Sequence, residues 1–79
     1  EVYMNKKITK LNLIGLKCPF PVLKTMKKLK EIPNNQYLEV VTDDFDARKD
    51  FQELNNNGKI LLIDLKKDNK NFFFLIKKV

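Results

Sequence analysis

The stretch Gly15-Leu16-Lys17-Cys18-Pro19-Phe20-Pro21-Val22 holds the chain's single cysteine, between a strand-like alternation and a helix-like one. Proline fixes φ, lacks an N–H and suits the first turn of a helix, where that donor would have no intrahelical partner. Two prolines this close to the thiol put Cys18 on the loop leaving a strand, at or just before a helix N-terminus. If Cys18 is the N-cap, Pro19 is N1 and Pro21 is N3, leaving the Phe20 amide as the capping donor. Alternatively Phe20, which precedes a proline and is biased away from the α region, lies outside the helix, and the helix begins at Pro21. On both readings the sulfur stands outward on a stiff elbow. The positive end of a helix and the adjacent Lys17 would favour the thiolate over the thiol, lowering a pKa that is ordinarily about 8.5. Free cysteines are commonly small buried residues. The Lys-Cys-Pro-Phe-Pro context favours a reactive thiol instead.

Upstream, Ile8 to Ile14 alternates, with Ile8, Lys10 and Asn12 against Thr9, Leu11 and Leu13, as a short strand does. Gly15 ends it with backbone latitude before the elbow. Downstream, Pro21 to Glu31 places Val22, Leu23, Met26 and Leu29 at helical spacing, with Ile32 closing the stripe. Lys24, Lys27, Lys28 and Lys30 lie on the other side, a solvated face on the helix that presents the thiol. Pro33 with Asn34-Asn35 turns the chain.

Tyr37 to Thr42 predicts a second strand, Leu38 and Val40 on one face and Tyr37, Glu39 and Val41 on the other. Asp44 is the expected N-cap of a second helix, with Asp46 in its first turn. Ala47, Phe51 and Leu54 form its apolar side, and Gly58 takes the C′ role after Asn55-Asn56-Asn57. Lys59–Lys67 and Asn71–Lys78 predict a hairpin turning at Asp68-Asn69-Lys70. The order β-α-β-α-β-β with right-handed crossovers puts both helices on one face of a four-stranded mixed sheet. The expected fold is a two-layer α/β (α+β) sandwich. With Phe72, Phe74, Ile76 and Leu61, Ile63, Leu65 facing the helices, the open face would carry Phe73, Leu75, Ile60, Leu62 and Val41. Such an apolar patch suggests weak self-association.

Seventy-nine residues without a linker or repeat allow one domain, residues 1–79. Residues 1–7 read as a tail. Within them, Glu1-Val2-Tyr3 before Met4 looks like an expression remnant or the cut end of a longer precursor. A single cysteine cannot form an internal disulfide, which points to a reducing compartment. The cytoplasm is expected, with an organelle, reached by a targeting segment since removed, as the alternative. No apolar run approaches the ~20 residues of a membrane span.

Histidine is absent, so Cys–His nucleophile pairs, His-ligated metals and imidazole bases are excluded. A thiolate still exchanges sulfur without a base. The acids Asp43, Asp44, Asp46 and Asp50 could suggest a metal, but capping accounts for two of them and no metal or other cofactor is expected. The net charge of +6 suits an acidic partner or nucleic acid, or simply reflects a lysine- and asparagine-rich composition.

Gly15 to Val22 resembles the Cys-Pro-X-Pro signature of the TusA/SirA sulfur-carrier family. The element order, the Asp43-Asp44 step, Arg48 with Asp50, Gly58 and the closing Ile76-Lys77 also fall where that family has them, over roughly Ile8 to Lys78. The resemblance implies a carrier that takes sulfane sulfur from a cysteine desulfurase or rhodanese-type donor, holds it as a persulfide and hands it to an acceptor protein. In well-known members the endpoint is thiolation of tRNA wobble uridine; other members serve other sulfur-transfer pathways. Cys18 would bear the sulfur, Pro19 and Pro21 would frame it, and Lys17 and Phe20 would support it. Arg48, Asp43, Asp50, Lys24, Lys27 and Lys28 are candidate partner contacts. Such a carrier acts with partner enzymes rather than as an independent catalyst, and no direct nucleic-acid contact is expected. Ile14, Asn12, Asn35, Phe45 (where a proline is common) and Lys59 depart from common family residues, and the basic residue lost at Ile14 bears on partner identity. A chain with no second cysteine cannot discharge a persulfide internally as a disulfide, which suits a carrier. A basic nucleic-acid-binding module and a one-cysteine redox adaptor are the alternatives.

Overall fold

A computed structural model describes residues 8–33 and 36–78. The expected tail and the Asn34-Asn35 turn lie outside the described residues. Strand β1 (Ile8–Asn12) leads to helix α1 (Phe20–Glu31), strand β2 (Tyr37–Thr42), helix α2 (Ala47–Asn56) and a hairpin of β3 (Leu61–Asp68) and β4 (Asn71–Lys77). The four strands form one mixed sheet in the order β1-β2-β4-β3, with β1 parallel to β2 and both other pairs antiparallel. This is the expected β-α-β-α-β-β sandwich.

Alternation places the core. In β2, Leu38, Val40 and Thr42 are buried, and in β4 Phe72, Phe74 and Ile76 are buried, while their neighbours are half-buried. Leu29 from α1 and Ala47 and Phe51 from α2 join the same cluster, so both helices cover one face. Phe51 stacks on Phe74 with ring centroids 4.5 Å apart. Gly58, at φ +75, follows the C-cap residue Asn57, and its N–H bonds to the Asn55 carbonyl at 3.2 Å. Only a residue free to adopt positive φ turns the chain there without strain. Asn69 adopts φ 57 in the hairpin turn, a conformation asparagine tolerates better than most residues.

The third strand departs from the expected phase. Leu62 faces Ile76 across the hairpin, but Asp64 rather than Ile63 faces Leu75, so Ile63 is an extra residue in a bulge. Before the bulge, Ile60 is buried and Leu62 packs on the core; after it, Leu65 does. Leu61 and Ile63 are exposed instead. The expectation that Leu61 and Ile63 face inward and Ile60 and Leu62 outward is therefore reversed. The open face carries Val41, Phe73 and Leu75 as expected, interleaved with Glu39, Asp64 and Lys66.

Helix α1 needs one correction as well. Its inward side is Pro21, Thr25 and Leu29 with Val22 and Met26 packed beside them, whereas Leu23 is 56% exposed. Val22 and Leu23 are sequence neighbours about 100° apart on a helix, and only one can face the sheet. No helix among the described residues is long and apolar enough to cross a membrane.

Candidate functional site

Because β1 and β2 are parallel neighbours, the loops leaving their C-terminal ends lie side by side, a position where α/β sheets commonly hold ligands and reactive groups. The first loop runs from Leu13 to Pro19 and the second from Asp43 to Asp46. Their closest tie to the sheet is the Leu13 N–H, which donates to the Val41 carbonyl at 2.8 Å.

The acids of the second loop hold the first. The Gly15 N–H donates to Asp43 Oδ1 at 3.0 Å, at a residue with φ +95 that suits glycine. The Cys18 N–H donates to Asp44 Oδ2 at 2.8 Å. Asp44 is buried, its other oxygen accepts the Asp46 N–H at 3.3 Å, and its own N–H bonds to the hydroxyl of buried Thr42 at 3.1 Å. Asp44 is thus not the N-cap of α2, as its place in the sequence suggested. The N-cap is Asp46, without a side-chain cap bond, and Asp44 spends its carboxylate tying the cysteine loop to the start of α2.

Helix α1 begins at Phe20 with Pro19 as its N-cap and Pro21 in its first turn, so neither sequence-based boundary holds. The Cys18–Pro19 peptide is cis. Cys18 itself is exposed, on the elbow where the sequence placed it. Phe20 stands beside it in the chain, 54% exposed.

The electrostatics of the thiol run opposite to the sequence-based expectation. Pro19 and Pro21 offer no N–H, and the Phe20 N–H donates to the Lys17 carbonyl at 2.9 Å. Few first-turn donors therefore remain to support a thiolate. Instead Sγ donates to Asp50 Oδ2, on α2, at 3.0 Å. That hydrogen bond is the main reason the Cys18 pKa is raised to about 11, with smaller contributions from desolvation and from the charges of Asp50, Asp44 and Asp46. At neutral pH this favours the protonated thiol over the expected thiolate.

Of the other residues singled out from the sequence, Asp43 and Asp50 both reach the cysteine loop. Arg48 does something different. Its guanidinium lies 4.6 Å from the Phe45 ring centroid and 5.7 Å from that of Phe72, and those two rings meet edge-on at 6.1 Å. Lys67 lies 5.9 Å from the Phe72 ring. This stack was not foreseen. Phe45, 63% exposed, stands out in the sequence only as a departure from the common family residue. Lys24 and Lys27 lie on the exposed side of α1, and Lys28 pairs with Glu31 at 3.5 Å.

A family model described as sulfurtransferase TusA matches residues 9–78. The sulfur carrier protein TusA of Allochromatium vinosum is 35% identical over 68 residues, covering 86% of this chain and 90% of that protein. A protein of Methanocaldococcus jannaschii named as a candidate sulfur carrier is 35% identical over 69 residues, covering 87% and 92%. Another such protein, from Bacillus subtilis, is 31% identical over 68 residues, covering 86% and 91%.

Proposed function

The chain belongs to the TusA family of sulfurtransferases, and from that premise we propose that it is a sulfur carrier whose Cys18 accepts sulfane sulfur as a persulfide and passes it to an acceptor protein. The observation that supports this most is the exposed thiol of the chain's single cysteine, on a loop pinned by Asp43 and Asp44.

In the loading step the Cys18 thiolate attacks the outer sulfur of a donor persulfide. A new S–S bond forms at Cys18, the donor's S–S bond breaks, and its electron pair leaves on the donor cysteine as a thiolate. No net oxidation or reduction occurs. In the unloading step an acceptor thiolate attacks the outer sulfur on Cys18 in the same way. The donor is a cysteine desulfurase or rhodanese-type protein. The acceptor belongs to a sulfur-transfer pathway such as thiolation of tRNA wobble uridine. The exchange takes place in the cytoplasm, Lys17 and Phe20 support the thiol, and the protein self-associates weakly through the open sheet face.

Radiolabelled sulfur tests it. With labelled cysteine and a cysteine desulfurase, the protein becomes labelled in a form released by dithiothreitol, and the label then moves to a thiol-bearing acceptor protein. Labelling that Cys18→Ser leaves unchanged would refute the proposal.

A further inference from the structure

A thiol that attacks sulfur must first lose its proton, yet Asp50 Oδ2 sits 3.0 Å from Cys18 Sγ and accepts the hydrogen bond that this proton makes. Ionising Cys18 against an unchanged Asp50 would set two anions in contact, which is costly even at a surface. The groups bearing on the sulfur are Asp50 on α2 and Asp44 and Asp46 in the preceding loop, all of one sign; Lys17 is its neighbour in sequence. This acidic setting lies on a chain of net charge +6. The surroundings of the thiol therefore select for the opposite charge from the surface as a whole.

Resting on the sulfur-carrier reading of Cys18, we propose that Asp50 is a specificity-determining residue that admits sulfur donors presenting a lysine or arginine beside their reactive sulfur. A cation delivered there pairs with the Asp50 carboxylate and draws it off Sγ. The thiol proton passes to water, and the Cys18 thiolate then attacks the outer donor sulfur as described above. Donors with an anionic group at that position meet Asp50 unneutralised and a thiol that stays protonated. Asp50 touches the reacting atom only through its proton, so it is a positioning residue and not a nucleophile.

Small symmetric disulfides of different charge test this directly. The full chain is reacted at pH 7.5 and low ionic strength with cystamine, which is dicationic, with neutral 2-hydroxyethyl disulfide, and with dianionic 3,3′-dithiodipropionate. With each rate divided by that of the same disulfide with free 2-mercaptoethanol, which removes the differing leaving-thiol acidities, local charge pairing predicts that cystamine reacts roughly tenfold or more faster than dithiodipropionate, and that added salt erodes the preference. In Asp50→Asn the preference shrinks at least about threefold, the neutral disulfide reacts several-fold faster, and the pH midpoint of reactivity moves down. Asp50→Glu restores the preference. A wild-type protein whose rates, so normalised, are equal for all three or higher for the dianion overturns the proposal, as does an Asn variant with an unchanged ratio. The salt dependence of the wild-type ratio needs no variant and stands if Asp50→Asn fails to fold. These exchanges proceed whether or not a desulfurase loads Cys18. Loss of the charge preference therefore counts against Asp50 alone, and failed loading counts against the carrier reading alone.

Discussion

The backbone amide of Cys18 donates to the Asp44 carboxylate at 2.8 Å, joining two loops whose residues are 26 positions apart in sequence. Since Asp44 is buried and also accepts the Asp46 amide, removing it leaves two donors without their partner. Asp44→Ala is expected to cost about 1–3 kcal/mol, read from urea unfolding, and to slow loading of Cys18 because the elbow is no longer held. Asp44→Asn, which keeps an acceptor oxygen, should lose less.

The thiol should be slow at neutral pH and steepen late. With its pKa raised to about 11, the alkylation rate with iodoacetamide should keep climbing above pH 9 and reach its midpoint near pH 11. The folded pKa is the raised one, so the Asp50 contact supports the fold fully below about pH 9, and that support disappears as pH rises through 11. A midpoint at or below pH 8.5 would mean that Asp50 does not hold the proton.

Phe51 is fully buried on Phe74 and anchors α2, the helix that carries Asp50. Phe51→Ala should destabilise by about 3–5 kcal/mol through lost transfer energy and a cavity. Denaturant unfolding checks this, and a loss under 1 kcal/mol would show that the site collapses around the smaller side chain.

Thr25 faces the core from α1 with a hydroxyl oxygen that has no hydrogen-bond partner among the described residues. Burying such a group unpaired is unfavourable. Thr25→Val should therefore be neutral or stabilise by about 1 kcal/mol in thermal or urea unfolding, and a clear loss would reveal a partner for that oxygen.

Much of the fold was legible because β2 and β4 alternate cleanly, with Leu38 and Val40 opposite Ile76 and Phe74. Where the pattern gave no alternation it misled. Ile60 to Ile63 is an unbroken apolar run, and a bulge at Ile63 sets which members face inward. Val22-Leu23 posed the same ambiguity on a helix. At the site, the sequence located Cys18 and its exposed elbow from two prolines. It misjudged the charge there, because Lys17 is adjacent in the chain whereas Asp50 is 32 residues away and arrives only through the packing of α2. In the Arg48–Phe45–Phe72 stack, Phe45 and Arg48 are three residues apart and meet locally, whereas Phe72 joins them only once β4 lies beside β2.

The most direct measurement is the intact mass of the protein after incubation with a cysteine desulfurase and cysteine. The wild-type chain should gain the mass of one sulfur atom, lose it on treatment with dithiothreitol, and show no gain as Cys18→Ser. A wild-type protein that stays at its starting mass under conditions where the desulfurase turns over would contradict the assignment of Cys18 as the atom that carries sulfur.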